Sequence, residues 1–462
     1  MYRERKKKWR TIRLVITEII MVVAVIVTVV LLTFFAMGYR FSEDGEVGQQ
    51  GLIQIQSIPT GATITIDDDT LLAHTNASKL VSAGEHTVKL TKVGYDSWSK
   101  TITSEVGRVI KLLYPRLFLE ERTPEVMREF ERQLSFFSPA TNHDAVLYSL
   151  DNNPKWVLLD VRGDDAIQQE IDLTEALTGL LVQNVTWNGN SDKVLVKASN
   201  DSGTEWLVVN LSDPENVVSI NKEFDMNFID VTFMNDAGDK LIVLQDDAKL
   251  RTIDLSNKTI SGVLATNVKS YSFYNDKIFY QTKENVIKLW QENSDDVVVA
   301  SYDDKQQVKF IASGYLDNKY IAIFVDGKCA VYEGDFPDAE RSLSDMTLVY
   351  HKEIGFSAEE VISAADGELI VARAGKKLAV FDGELDKMSQ FELPGEQMFF
   401  LDKYLIGTIQ DGNLMVMDFD GENTRTLTKA SGTAFITKNN KWLYYLNSVD
   451  GITRLYREKI IG

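Results

Sequence analysis

Side-chain chemistry needs partners at set spacings, and this chain offers few of them. Its four histidines, His74, His86, His143 and His351, are widely separated. None forms the His-x-x-x-His or His-Glu-x-x-His spacing that puts two imidazoles on one helix face around zinc. Cys329 is the only cysteine, which excludes an intramolecular disulfide and any cysteine-rich metal site. Its setting, Lys328-Cys-Ala-Val-Tyr332, reads as a buried strand position rather than a reactive thiol. There is no Gly-x-Ser-x-Gly elbow, no Walker-type phosphate loop and no Gly-x-Gly-x-x-Gly turn. Carboxylates are plentiful, and two of them facing each other across a channel could cleave a glycosidic bond, but 68 Asp and Glu residues guarantee such pairs by chance. Asp67-Asp68-Asp69 concentrates oxygens of the kind Ca²⁺ prefers, without the spaced ligands and distal Glu of an EF-hand loop. The reading is therefore of a chain that is not an enzyme, with no catalytic, cofactor-binding or metal residue to assign and no cofactor implied.

The elements that would carry any site are easier to read. Apolar residues make up 44% and charged residues 25%, the proportions of a folded protein. The formal charge of -19 is unevenly spread. Arg3, Arg5, Lys6, Lys7, Lys8, Arg10 and Arg13 crowd residues 1–18 against Glu4 and Glu18, so the remainder is more acidic still. Such a body repels phosphate backbones, and no nucleic-acid partner is expected.

Ile19 to Met37 runs without a charge, and at about 1.5 Å per residue it reaches across the hydrocarbon of a bilayer. The reading is a basic cytoplasmic tail over 1–13 and a transmembrane signal-anchor helix over 14–38, followed by a tether over 39–50. Cations before the apolar run and Glu43, Asp44 and Glu46 after it place the N-terminus in the cytoplasm and the rest outside, by the positive-inside rule. Ala36-Met37-Gly38 also has the small residues of a signal-peptidase site, so cleavage after Gly38 is the rival outcome; the apolar run exceeds the usual signal-peptide core of about 7–15 residues.

Beyond the tether, Leu52, Ile53, Ile55 and Ile58, then Ile64 and Ile66, mark two short strands, with Pro59-Thr60-Gly61-Ala62 between them as a hairpin turn. A third alternating run is His86 to Leu90. Ile55, Ser57, Pro59, Gly61-Ala62, Ile64, Ile66-Asp67, Gly84, His86, Val88, Gly94-Tyr95 and Trp98 follow one another as they do in the PEGA domain, which residues 51–117 resemble. Thr60 stands where the family has its name-giving Glu. The resemblance implies a compact β-sandwich-like module of envelope and surface proteins without a characterised catalytic activity, in which His86 and Trp98 are core and sheet-face residues.

After a connector over 118–135, a unit recurs through 136–462: a short apolar strand, a polar turn ending in Asp/Asn-Lys, then an alternating strand. The turns are Asp192-Lys193, Asp239-Lys240, Asp276-Lys277, Asn318-Lys319, Asp402-Lys403 and Asn440-Lys441, with His143-Asp144 and Gly367-Glu368 as degenerate copies. A mean spacing of about 42 residues is that of four-stranded propeller blades. Third strands close on apolar-Asp/Asn-apolar triplets such as Leu159-Asp160-Val161 and Met417-Asp418-Phe419. The unit from Met415, with Asp418, Asp420-Gly421, Asn423, Arg425 and Leu427-Thr428, resembles the TolB-type propeller repeat, a relative in architecture of WD repeats. The fold expected is mainly β: one transmembrane helix, the small PEGA-like domain, and a β-propeller of seven or eight blades, with eight the best count. The last unit stops one strand short, and the stretch between Val126 and Arg132 is the nearest candidate to complete it, although Thr123-Pro124-Glu125 would equally start a helix.

The functional expectation is a membrane-anchored, extracytoplasmic binding or scaffold protein of the cell envelope whose propeller presents a face to an envelope protein or a glycan. Two alternatives stand beside it: an envelope-assembly or transport accessory factor, and a propeller hydrolase or lyase acting on polysaccharide.

Overall fold

The computed structural model describes residues 2–36, 39–41, 47–163 and 166–462. Met37 and Gly38 of the cleavage motif, and the acidic Glu43, Asp44 and Glu46, lie outside the described residues. The chain divides into two compact units, Met1–Glu120 and Glu121–Gly462.

The first unit opens with helix α1, Tyr2–Ala36. Its stretch Ile16–Phe34 is long and apolar enough to cross a membrane, and every side chain of that stretch is exposed. The hydroxyls of Thr28 and Thr33 donate back to the carbonyls of Ala24 and Val29, each at 2.8 Å, which satisfies these two hydroxyls within the helix. Eight strands follow among the described residues. One sheet contains β1 (Tyr39–Phe41), β2 (Val47–Ile55), β5 (Ala77–Ser82) and β8 (Val109–Leu112), the last parallel to β2. The other has the order β4 (Asp69–His74), β3 (Thr63–Ile66), β6 (Gly84–Thr91) and β7 (Trp98–Ser104). Their inward faces bury Ile53, Ile55, Ile64, Val88, Leu90, Trp98 and Ile102. The segment read as a tether thus contains β1 and the start of β2.

Pro59-Thr60-Gly61-Ala62 does not make a hairpin. Both edges of β2 are taken, by β5 and β8, so the next strand finds no place beside it and the chain crosses to the other sheet. A buried pair holds this crossover: the Ser57 and Thr75 hydroxyls lie 2.6 Å apart, and Thr75 Oγ1 accepts the Ala62 N–H at 2.9 Å. Gly61, at φ +78°, donates to the Thr75 carbonyl at 2.8 Å. The hairpin comes one step later, at Asp67-Asp68, both at positive φ, as a two-residue turn between β3 and β4 requires.

The second unit is a closed succession of four-stranded antiparallel sheets, eight among the described residues. Seven are built from consecutive strands, over 134–172, 181–219, 228–260, 268–301, 308–353, 360–392 and 399–429. The eighth has three strands over 434–459, and its fourth is β9, Glu125–Phe130, taken from the other end of the unit. A strand rather than a helix forms at Glu125 because the outer edge of Ile452–Lys459 needs pairing: Thr453 lies opposite Phe130, and Arg457 opposite Glu125.

From the first sheet to the sixth, successive sheets pack through apolar side chains. Trp156 and Trp187 join the first to the second, Trp206 and Phe228 the second to the third, Phe279 and Phe310 the fourth to the fifth. Val146 and Tyr148 of the first sheet pack with Phe435 and Tyr444 of the eighth, which shuts the ring. At this seam the His143 imidazole lies edge-on to Phe435 and bonds the Ile436 carbonyl at 2.8 Å. Burial holds its pKa below the ordinary histidine value, so it is a neutral packing residue.

Candidate functional site

The recurring turns lie on one end of the ring for a simple geometric reason. In an antiparallel sheet the start of the second strand faces the end of the third: Lys193 opposite Asn210, Lys240 opposite Asp254, Leu405 opposite Asp418. The turn before the second strand and the loop after the third therefore share a face in every sheet. Seven of the eight markers read from the sequence immediately precede or open a second strand, and Asp402-Lys403 stands one residue before its own.

Most of the carboxylates and amides on this face are committed to the turns themselves. Asn188 Oδ1 accepts the N–H groups of Asp192 and Lys193 at 3.1 and 2.9 Å, and Asp402 Oδ1 those of Tyr404 and Leu405, both at 2.8 Å. At the third-strand ends Asp160, Asp254 and Asp382 accept the N–H groups of Arg162, Asn257 and Glu384 at 3.0, 3.0 and 2.9 Å. These are Asx-type closures: Asp402 closes its own turn, whereas Asn188 and Asn235, four residues before the markers Asp192 and Asp239, close theirs.

Two adjacent cavities open on this face. The larger, about 730 Å³, lies between the third and fourth sheets, with Asn235, Asp236, Lys240 and Asp254 around a floor of Ile253 and Ile260. The smaller, about 250 Å³, lies between the fourth and fifth sheets beside Tyr274, Lys277, Lys319 and Arg341. Asn275 and Asp276 line both. The larger volume is in the range that holds a small ligand or a few residues of a partner.

The far wall of the smaller cavity is the long loop 334–346 between the third and fourth strands of the fifth sheet. Phe336 anchors the loop, edge-to-face on Phe279 at 5.0 Å and on Tyr274 at 6.0 Å. Arg341 bonds Asp335 at 2.9 Å and Asp338 at 2.5 Å, and Lys319 bonds Asp335 at 2.8 Å. The Arg341 guanidinium, with the N–H groups of Glu340 and Arg341, holds the Asp338 carboxyl down at about 2. The sequence reading did not single out this wall. Its one trace was the interval from Asn318 to Gly367, among the longest between successive markers.

A second cluster on the same face is buried. Glu368, 6% exposed, accepts from the Tyr404 hydroxyl at 2.6 Å and bonds Tyr315, so it links three successive sheets. Burial pushes its carboxyl up to about 7, the tyrosine bonds oppose that shift, and the charges of Asp382 and Glu384 add to it. A raised carboxyl pKa means that the folded chain holds a proton the unfolded chain releases. Stability is then fullest below about 4.5 and declines as pH rises through about 7, by on the order of 3 kcal/mol at most. Glu368→Gln is expected to flatten this dependence, leaving urea midpoints at pH 5 and pH 8 closer together than in the parent. An unchanged slope would place the titration elsewhere.

In the first unit Asp67, Ser82 and His86 come together in the order of a hydrolytic triad. His86 Nδ1 is 2.5 Å from Asp67 Oδ2, and Nε2 is 2.8 Å from the Ser82 carbonyl but 3.4 Å from its hydroxyl. Burial pulls the imidazole pKa down, while the Asp67 and Ser82 bonds more than reverse it, so the net shift is upward. The bond from His86, with that from the Thr87 N–H, lowers Asp67. Both ring nitrogens donate to oxygens that only accept, so the ring has no lone pair with which to take the Ser82 proton. The trio is a structural tie between the β3–β4 turn and the end of β5. His74 and His351 are exposed and apart from it. Cys329 is buried, and that burial pushes its thiol well above the ordinary range.

No group of three or more His, Cys, Asp or Glu side chains among the described residues is arranged to hold a metal ion. Residues 50–116 match the PEGA domain family. No curated protein sequence matches the chain. Among solved structures the chain is similar to the C-terminal WD40 domain of Sif2, with 12% identity and a TM-score of 0.47 over 73% of this chain and 99% of that one. It is also similar to a β-propeller domain from Myceliophteria thermophila, with 8% identity and a TM-score of 0.41 over 72% and 99% of the two chains. A third is the oligogalacturonate lyase of Vibrio parahaemolyticus, with 10% identity and a TM-score of 0.41 over 72% and 98%. The PEGA domain contributes two sheets and a buried Trp98, and the ring that follows it is a β-propeller scaffold.

Proposed function

We propose that this protein is a membrane-anchored binding or scaffold protein of the cell envelope, whose propeller presents the turn face over its third to fifth sheets to an envelope protein or glycan. The observation that carries the reading is the pair of adjacent cavities that share Asn275–Asp276, the smaller walled by the anchored 334–346 loop. Binding fits this face better than catalysis. Asp254, at the larger cavity, accepts the N–H and side-chain amide of Asn257 at 3.0 and 2.9 Å, and Asp335, at the smaller, is ion-paired with Lys319 and Arg341. Glu368, the carboxyl with a pKa near neutrality, is buried beneath tyrosines and lines neither cavity. The cations from Arg3 to Arg13 beside the apolar Ile16–Phe34 support an N-terminus held in the cytoplasm and a body outside it.

Affinity capture of the full chain from gently solubilised membranes tests this. A stable partner is expected with the parent, and its recovery is expected to fall at least about tenfold with Asp276→Arg, which reverses an exposed charge shared by the two cavities. Capture of nothing by the parent, together with turnover on a panel of polysaccharides, would replace the binding reading with an enzymatic one.

A further inference from the structure

Propellers leave one outer strand per sheet open to solvent, and such edges are normally guarded by being short or charged. The second and third sheets end in two-residue strands, Val218–Ser219 and Thr259–Ile260. The outer strands of the first, fifth, sixth and seventh sheets carry charges: Glu170 and Asp172, Lys352 and Glu353, Lys387 and Glu392, Arg425 and Lys429. β9, on the eighth, has Glu125, Arg128 and Glu129. The fourth sheet differs from all of these. Its outer strand, Val297–Ser301, reads Val-Val-Val-Ala-Ser, five residues without a charge, paired among the described residues only on its inner side.

Two further features mark this edge. Val298 is 54% exposed, while Val299 turns inward to line a hollow of about 530 Å³ toward the fifth sheet, with Tyr332, Leu343, Met346 and Leu348. The strand is also bracketed by acids: Glu292, Asp295 and Asp296 before it, Asp303 and Asp304 after it, with Lys305 the nearest opposing charge along the sequence and Lys288 opposite Val298 on the inner neighbour strand. Asp296 is engaged by Tyr280, and Asp295, Asp303 and Asp304 are exposed.

We propose that this edge is a strand-addition site: an extended segment of a partner protein, with a short run of β-branched residues flanked by Lys or Arg, pairs with Val297–Ser301 and sets an apolar side chain into the hollow. Main-chain hydrogen bonds supply the pairing, and alternate side chains supply the selectivity. Charge complementarity chooses the occupant. A second copy of this chain pairing antiparallel through the same strand would bring acidic flank against acidic flank, which opposes self-association, whereas basic flanks meet both acidic brackets. The site is separate from the turn-face cavities and does not depend on them.

The test uses the full chain in detergent and three labelled peptides, KKVTVTVKK, EEVTVTVEE and KKGSGSGKK, read by fluorescence anisotropy and by amide exchange. The first peptide is expected to bind and to slow exchange at Val297–Ser301. The other two are expected to bind at least about tenfold more weakly, because one loses the flanks and the other the strand. Val298→Lys, on an exposed side chain, is expected to weaken the first peptide at least about tenfold with the unfolding midpoint unchanged. Asp276→Arg is expected to leave it unaffected, so failure here and failure of the turn-face reading can be told apart. Equal binding of KKGSGSGKK, protection elsewhere, insensitivity to Val298→Lys, or self-association through this edge in place of peptide binding would each overturn the proposal.

Discussion

Deleting residues 123–131 is expected to cost the propeller on the order of 5 kcal/mol or more and to broaden or split its unfolding transition. The segment contains β9, which completes the eighth sheet. Its Phe130 is buried edge-to-face on Tyr148 at 5.3 Å and within reach of Leu455. Loss of a buried Phe side chain alone is worth about 3–5 kcal/mol. The cross-strand pairs Arg454–Glu129 at 2.7 Å and Arg457–Glu125 at 2.8 Å add less, because their acids are half exposed. Deletion also opens the edge of Ile452–Lys459, so aggregation on heating is part of the expected result.

A point variant separates closure from mere shortening. Glu458, 2% exposed, sits 3.5 Å from Arg122 Nε and accepts from Thr428 and Tyr445, each at 2.6 Å. Arg122 also donates to the Leu427 carbonyl at 2.7 Å, which latches the entry of the unit to its last two sheets. Arg122→Ala leaves a buried carboxylate without its cation, at an expected cost of about 3–5 kcal/mol. Arg122→Met with Glu458→Gln should recover part of that. Urea unfolding followed by tryptophan fluorescence reads both. A midpoint unmoved by the deletion or by Arg122→Ala would show that the ring does not depend on this clasp.

Trp98→Ala is expected to unfold the PEGA domain and leave the propeller folded. Trp98 is fully buried in β7 and stands edge-to-face on Tyr114 at 6.1 Å. Truncating a buried Trp costs about 3–5 kcal/mol. A single core in a domain of this size seldom supplies more than about 3–5 kcal/mol in all, so the loss matches the whole reserve. Limited proteolysis is the direct measurement: cleavage is expected within 51–117, with 121–462 persisting as a resistant fragment. Resistance throughout would mean that Trp98 is not the keystone of that core.

Some of this protein was legible in the order of its residues. The apolar Ile19 to Met37 run, the PEGA resemblance and the eight turn markers all rest on local patterns, and local patterns are set by neighbours in the chain. Asp192-Lys193 or Asn440-Lys441 marks a turn wherever the sheet lies, because the Asn or Asp that closes it is within a few residues. The missing strand was legible by subtraction, since a propeller sheet left one strand short must borrow one.

What the tertiary structure alone decided involves partners far apart in sequence. Pro59-Thr60-Gly61-Ala62 has the residues of a hairpin turn, yet β5 and β8 already occupy both edges of β2, so it became a crossover. His86 reads as core by type, but its charge state is decided by Asp67 and Ser82, which chain folding brings to its two nitrogens. Arg122 meets Glu458, and Glu368 meets Tyr315 and Tyr404, only when the ring closes. The cavities at Asn275–Asp276 and the open edge at Val297–Ser301 belong to the same class. A pocket between sheets, or an edge that nothing covers, is a property of packing, and packing energy depends on which surfaces meet rather than on the order in which the chain presents them.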